Sequence, residues 1–173
     1  MLNWQFARFD DLTPRDWYAA SAARLDVFVM EQNCPFQDLD GVDFHSWHLF
    51  GWHVSDAVAN DVGDAVADGK RELAAYCRLV DPGVKFPQPS IGRVITTLKY
   101  RLGGFGKQLM REACTRHDHL YPDSPNRIGA QARLEKFYQS FGFVTDSDIY
   151  IEDGIPHLEM QRPSHVTDNS ENR

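Results

Sequence analysis

Ile91-Gly92-Arg93-Val94-Ile95-Thr96-Thr97-Leu98, followed by Lys99-Tyr100-Arg101-Leu102-Gly103-Gly104-Phe105-Gly106-Lys107-Gln108-Leu109-Met110, reads as a buried strand running through a glycine turn into an amphipathic helix. Three glycines in four residues, Gly103, Gly104 and Gly106, let the backbone approach a ligand closely. The helix that starts there aims unpaired N–H groups and the positive end of its dipole into the turn, so an anion is its natural occupant. Two phosphate motifs fail on specific residues. A P-loop ending at Gly106-Lys107 needs glycine at Arg101 and Ser or Thr at Gln108, and a dinucleotide fingerprint beginning at Gly104 needs a small residue at Leu109. What survives is Arg101-x-x-Gly104-x-Gly106; a glycine-rich loop with no ligand is the plain alternative.

A second stretch supports the ligand. Ala132-Arg133-Leu134-Glu135-Lys136-Phe137-Tyr138-Gln139-Ser140-Phe141-Gly142-Phe143 places Leu134, Phe137, Tyr138 and Phe141 on one helical face, with Gly142 as a left-handed cap before a return to strand. Taken alone, Tyr138 is a core residue on an amphipathic face.

The two stretches together resemble the acyl-CoA signatures of the GNAT superfamily of N-acyltransferases. Four more, Val27-Phe28-Val29-Met30-Glu31-Gln32-Asn33-Cys34-Pro35, Asp38-Leu39-Asp40-Gly41-Val42-Asp43, Ile128-Gly129-Ala130-Gln131 and Glu152-Asp153-Gly154-Ile155-Pro156-His157-Leu158-Glu159-Met160, resemble its ElaA branch, over residues 4–162. The resemblance implies an α/β fold with a mixed, mostly antiparallel twisted sheet flanked by helices. It implies acetyl-CoA as co-substrate and direct transfer of the acetyl group to an amine, small-molecule or peptide. It assigns the pyrophosphate to the turn at Arg101, Leu102, Gly103, Gly104, Phe105 and Gly106. Pantetheine and the acyl carbonyl fall to a strand bulge at Val94, Ile95 and Thr96, and the thiolate proton to Tyr138 as general acid. Many family members place an Asn ahead of the tyrosine helix; Gln131 and Ala132 stand there, so that contact is not carried over.

An attacking alkyl amine arrives protonated and needs a base. Glu31, His45, His48 and His157 are the candidates, with Glu31 and His157 ahead because they lie in the ElaA-like stretches. Asp38, Asp40 and Asp43 read as a solvated loop or a substrate-facing acidic rim. They lack the glycine and terminal glutamate of a calcium loop, there is no zinc helix, and no metal is expected. Arg93 reads as a solvated strand residue.

The whole chain sets the frame. Its 173 residues and 42% hydrophobic content suit one domain over 1–163, with a disordered Ser-Asn-Glu-rich tail at 164–173. A net charge of −7 and scattered Lys and Arg argue against nucleic acid. No eighteen-residue apolar run suggests a membrane span, and the start has neither a basic leader nor an apolar run. Cys34, Cys77 and Cys114, odd in number and widely spaced, fit a reducing cytoplasm and structural roles. Dimers are common among GNAT proteins, so a homodimer stays open. A first strand is expected at 3–9, a helix from the Thr13 cap to Met30 with Trp17, Leu25 and Phe28 inward, and a hairpin of 47–54 and 73–80 with an enlarged loop at 55–71. A helix to His117, a strand at 127–130 and closing strands near 143–150 and 155–161 complete the set. The rival from another class is a non-enzymatic acyl-CoA-binding module, which needs the glycine turn and has no use for Tyr138.

Overall fold

Eight strands and three α-helices are present among the described residues, 1–54 and 71–164, of a computed structural model. Strand β1, Leu2–Arg8, leads to α1, Pro14–Arg24, whose start is a reciprocal capping box. The Thr13 hydroxyl accepts from the Asp16 N–H at 3.2 Å, and the Asp16 carboxylate accepts from the Thr13 N–H at 3.3 Å. The helix continues to Glu31, as expected, yet from Leu25 onward it is wound as a π-helix. That wider turn shifts the phase of the side chains, and Leu25, expected inward, is 41% exposed.

Strands β2, Ser46–Val54, and β3, Arg71–Val80, pair antiparallel; the loop expected between them falls on 55–70, outside the described residues. Next come β4, Ser90–Thr96, a 3₁₀ turn at Leu98–Gly103, α2, Phe105–Leu120, and β5, Asn126–Gln131. A second 3₁₀ turn opens α3, Glu135–Gln139, and Gly142 at φ +87° ends that segment in the left-handed region, as its position predicts. Strands β6, Val144–Thr145, β7, Tyr150–Glu152, and β8, Ile155–Arg162, follow. The single strand expected near 143–150 is therefore broken. At the break the Ser147 hydroxyl, rather than a backbone carbonyl, accepts the Glu159 N–H at 2.8 Å.

The strands form two sheets, β1-β2-β3-β4 and β5-β8-β6 with β7 also on β8. The two meet at the start of β4 and β5, where the Arg127 N–H donates to the Pro89 carbonyl at 3.1 Å. Asn126 Oδ1 accepts from the Ile91 N–H at 3.4 Å. Beyond that point β4 and β5 share no ladder, and a cavity opens between them. Leu109, Met110, Ala113 and Cys114 of α2 pack one core with Leu49, Leu79, Ile128, Ala130 and Met160. Ala20 and Ala23 of α1 pack a second with Phe50, Trp52, Tyr76 and Ile95 on the other face.

Candidate active site

The two cores expose an irregularity in β4. Ile91 lies in the α2 core and Ile95 in the α1 core, although residues four apart in a regular strand share a face. The register explains the switch: Gly92 pairs with Arg78 and Ile95 with Tyr76, so Arg93 and Val94 together oppose Cys77. One extra residue flips every side chain that follows and leaves part of the ladder unpaired. Arg93 carries the distortion at φ +52°, a left-handed conformation that costs a non-glycine residue roughly 1–2 kcal/mol.

A buried charge network holds Arg93 there. Its Nε lies 2.7 Å from Asp38 Oδ1, an ion pair without hydrogen-bond alignment, and its Nη2 lies 3.4 Å from Asp40. Phe28 and Phe36 stack over its guanidinium at 5.6 and 5.5 Å. Arg24, fully buried, donates from Nε to Asp38 at 2.8 Å and from Nη1 to Asp43 at 2.6 Å. Arg78 donates to both Asp40 oxygens, at 2.8 and 2.7 Å, and to Asp43 at 2.9 Å. Three arginines thus meet three aspartates. The reading of Arg93 as a solvated strand residue is overturned, and so is that of the Asp38–Asp43 stretch as a solvated loop. Asp38 and Asp43 are buried because cations from α1, β3 and β4 neutralise them. Burial alone would push the Asp40 carboxyl up, but Arg78 and then Arg93 outweigh it and hold it at about 2. Among the described residues no cluster of His, Cys, Asp and Glu is placed to hold a metal.

The cavity between β4 and β5 has a volume of about 740 Å³. Val94, Ile95, Thr96, Arg101 and Tyr138 line it together with Glu31 and His157, so seven predicted site residues from five segments converge. Tyr138 enters from α3 with its ring against Phe137 and Phe143; it is buried, and its hydroxyl has no hydrogen-bond partner among the described residues. Burial, with Cys77 adding to it, pushes its phenol above the ordinary tyrosine range, so it stays protonated at neutral pH. Glu31, at the end of the π-helix, is ion-paired with Arg101. His157 Nδ1 donates to the Ile155 carbonyl at 2.8 Å, which leaves the lone pair of the neutral ring on Nε2.

Two other candidate bases lie elsewhere. His48 is fully buried beneath the charge network: Nε2 donates to the Asp43 carbonyl at 3.1 Å and Nδ1 accepts from the Tyr76 hydroxyl at 2.7 Å. Burial holds its pKa down at about 4, so it is neutral and sealed from the cavity. His45 is exposed at the end of the 3₁₀ turn before β2 and also lies off the cavity.

The glycine turn sits at the cavity's edge. Leu102, Gly103, Gly104, Phe105 and Gly106 do not line the cavity itself; Leu102 is fully exposed. Gly104 has φ +72° and would meet no atom within 4 Å if it carried a Cβ, so the turn presents bare backbone to open space at the α2 N-terminus. That arrangement fits a pyrophosphate in its charge and in its room. Residues to which the sequence reading gave no site role complete the walls. The Gln131 amide donates to Gln32 at 2.9 Å across the mouth, and Cys34 donates to the Asp153 carbonyl at 3.4 Å. Lys85 reaches the cavity from the loop before β4. Their contacts left no local signal, because each joins segments about a hundred or more residues apart in the chain.

Residues 60–163 match the family described as Acetyltransferase (GNAT) domain. Protein ElaA of Escherichia coli (strain K12) is 41% identical over 164 residues, 94% of this chain and 97% of that protein. The chain belongs to the GNAT acetyltransferase family, in its ElaA branch. The crystal structure of Escherichia coli ElaA superimposes with a TM-score of 0.79 at 39% identity, covering 94% of this chain and 99% of that one. An acyl-CoA N-acyltransferase from Pseudomonas aeruginosa gives 0.80 at 38% identity, with the same coverage of both chains. The bulged β4, the splay of β4 from β5 and the glycine turn are thus the frame of a GNAT acyltransferase, a family that uses acyl-CoA as co-substrate.

Proposed function

We propose that the chain is an acetyl-CoA-dependent N-acetyltransferase that moves the acetyl group directly to an amine. The observation that carries this reading is the convergence of the bulged strand, Arg101 and Tyr138 on one cavity, with the glycine turn at its edge. The turn and the N-terminus of α2 hold the pyrophosphate, and backbone freed by the bulge at Val94, Ile95 and Thr96 holds pantetheine and the acyl carbonyl. One preorganised donor on that carbonyl is worth about 2.7–4 kcal/mol in the transition state. When bound, the thioester supplies an activated acetyl carbon.

The residues of the chain then manage the protons. Tyr138 holds, on its Oη, the proton that the departing thiolate needs. His157 offers Nε2 to the amine, whereas Glu31 is already engaged by Arg101 and acts by fixing the turn against the π-helix. The ammonium first loses one proton through His157 to solvent. The neutral nitrogen then forms the new bond, the carbon–sulfur bond breaks, the sulfur takes the Tyr138 proton, and the second proton shed by the nitrogen replaces it on Tyr138, for a net release of one proton. No enzyme nucleophile is required, and burial, the main cause, pushes the Cys77 and Cys114 thiols up, the latter to about 11. Three free cysteines support a cytoplasmic setting.

The test is calorimetric titration with acetyl-CoA, run on the parent, on Gly104→Glu and on Gly104→Ala. The alanine variant shares the backbone cost of leaving glycine without the bulk and charge. Saturable binding in the parent and in Gly104→Ala, lost in a folded Gly104→Glu, is expected; no binding by folded parent protein overturns the assignment. Thiol release with amines then separates an enzyme from an acyl-CoA-binding module.

A further inference from the structure

We propose that the amine acceptor also carries a carboxylate, and that Lys85 and Tyr150 hold this carboxylate over Gly129. The inference rests on the acyltransferase reading above and names the substrate class for the same cavity. Along β5, Ile128 and Ala130 turn into the core shared with α2, whereas Gly129 and Gln131 face the opposite way, towards the π-helix, where Gln131 meets Gln32. The Gly129 face is therefore turned away from the helix that the glycine turn opens. It belongs to the side left for the acceptor.

The missing side chain makes the subsite. A Cβ at Gly129 would lie 3.2 Å from the Tyr150 hydroxyl oxygen and 3.9 Å from Lys85 Nζ, so a phenol and an ammonium from distant segments converge on one spot beside the cavity wall. Neither group has a hydrogen bond or ion pair among the described residues; Tyr150 is stacked on cavity-lining His157 at 6.0 Å. The other cations of the cavity are engaged. Arg93 is paired with Asp38 and Asp40, Arg101 with Glu31, and Arg133 donates to Gln131. Lys85 is the cation left for an anion. Although its surface reaches solvent at the mouth, the protein around it, burial first, lowers its pKa; Glu152 opposes that shift. A bound carboxylate would secure its charge.

Glu152 and Asp153 line the same cavity and are in no ion pair among the described residues. One free cation beside two carboxylates suits a ligand of both signs: a carboxylate for Lys85 and Tyr150, and an ammonium to be deprotonated near His157. An amino acid has that pattern; a polyamine has only half of it.

The experiment measures thiol release from saturating acetyl-CoA with glycine, L-alanine, L-glutamate, L-lysine and L-phenylalanine, each against its carboxamide. At least one amino acid is expected to exceed its amide by about tenfold or more in kcat/KM, the scale of a charged hydrogen bond gained or lost. Lys85→Gln should erase that preference, mainly through KM, and Lys85→Arg should restore most of it. Gly129→Ala should weaken the acid by filling the spot between the two donors. Acetyl-CoA titrations of all variants should match the parent. Amides reacting as well as acids, or no amino acid reacting while acetyl-CoA binds, overturns the carboxylate subsite alone. Failure of the parent to bind acetyl-CoA overturns both readings.

Discussion

The glycine turn and the acidic loop border the same cavity, through Arg101 and Asp40, and are built in opposite ways. The turn at residues 101–106 is almost all backbone: its chemistry follows from a positive φ at Gly104 and from where α2 begins. The loop that holds Asp38, Asp40 and Asp43 is all side chain, and its aspartates meet arginines 14 to 55 residues away in the chain. The turn leaves its backbone facing open space at Gly104; the loop is closed, with its charges cancelled from within. In this molecule the binding surface is cheap to build and the scaffold that shapes it is costly.

Stability tests that contrast most directly. Asp43→Ala removes the oxygen shared by Arg24 and Arg78 and leaves two buried cations short of a partner. Breaking such a buried pair costs about 3–5 kcal/mol, which for a domain of this size lowers Tm by roughly 6–20 °C in a thermal melt. Gly104→Ala in the turn pays only the left-handed penalty of roughly 1–2 kcal/mol. Equal losses in the two variants would break the comparison.

Turnover should rank the two regions the other way. Tyr138→Phe removes one hydroxyl that the described residues leave unbonded, so the fold should be little affected. Loss of general-acid catalysis predicts a fall of about 10²–10⁴-fold in kcat with acetyl-CoA affinity nearly unchanged, read from steady-state kinetics beside calorimetry. A variant as fast as the parent would assign Tyr138 to packing.

Arg93 joins the acidic loop to the bulge of β4, through its ion pairs with Asp38 and Asp40. Arg93→Ala loses the ion pairs and keeps the left-handed strain; Arg93→Gly loses the pairs but relieves the strain. The glycine variant should be more stable by roughly 1–2 kcal/mol in urea unfolding. Both should lower kcat, by up to about 10²-fold if the carbonyl-binding backbone shifts by as much as 1 Å. An unchanged kcat in both would mean that the bulge holds its shape without the clamp.

The same contrast decides what could be read from the chain. Capping at Thr13 and the glycine stop at Gly142 are local patterns, and both are present in the structure. The glycine turn and the tyrosine helix were legible for that reason, and their placement around one cavity, Tyr138 lining it and the turn at its edge, was expected only from the family resemblance. Arg93 and the aspartates were misread because nothing within ten residues of them states their partners. The π-helix escaped because the side-chain period of Pro14 to Arg24 gives no notice that the winding changes at Leu25. His48 looked like a candidate base in a His-rich stretch, yet its neighbour in β2, Trp47, and its distant partner Tyr76 say nothing in sequence about which face is sealed.

His48 also supplies the smallest effect, and it acts through the closed region alone. Its ring is neutral and buried, with a pKa of about 4 against an ordinary value of 6.5. A base whose folded pKa is depressed leaves stability complete above pH 6.5 and removes it as the pH falls towards 4, since only the unfolded chain takes up the proton in that window. Between pH 7 and pH 5 the loss should be about 2 kcal/mol, measured by urea unfolding. His48→Gln keeps polar contact with Tyr76 and Asp43 but cannot titrate, so its stability should vary less over the same interval, although its absolute stability is lower. The Asp40 carboxyl titrates at about 2 and contributes nothing to the slope there. If parent and variant decline in parallel, His48 is not sealed, and the acidic loop is less closed than the comparison requires.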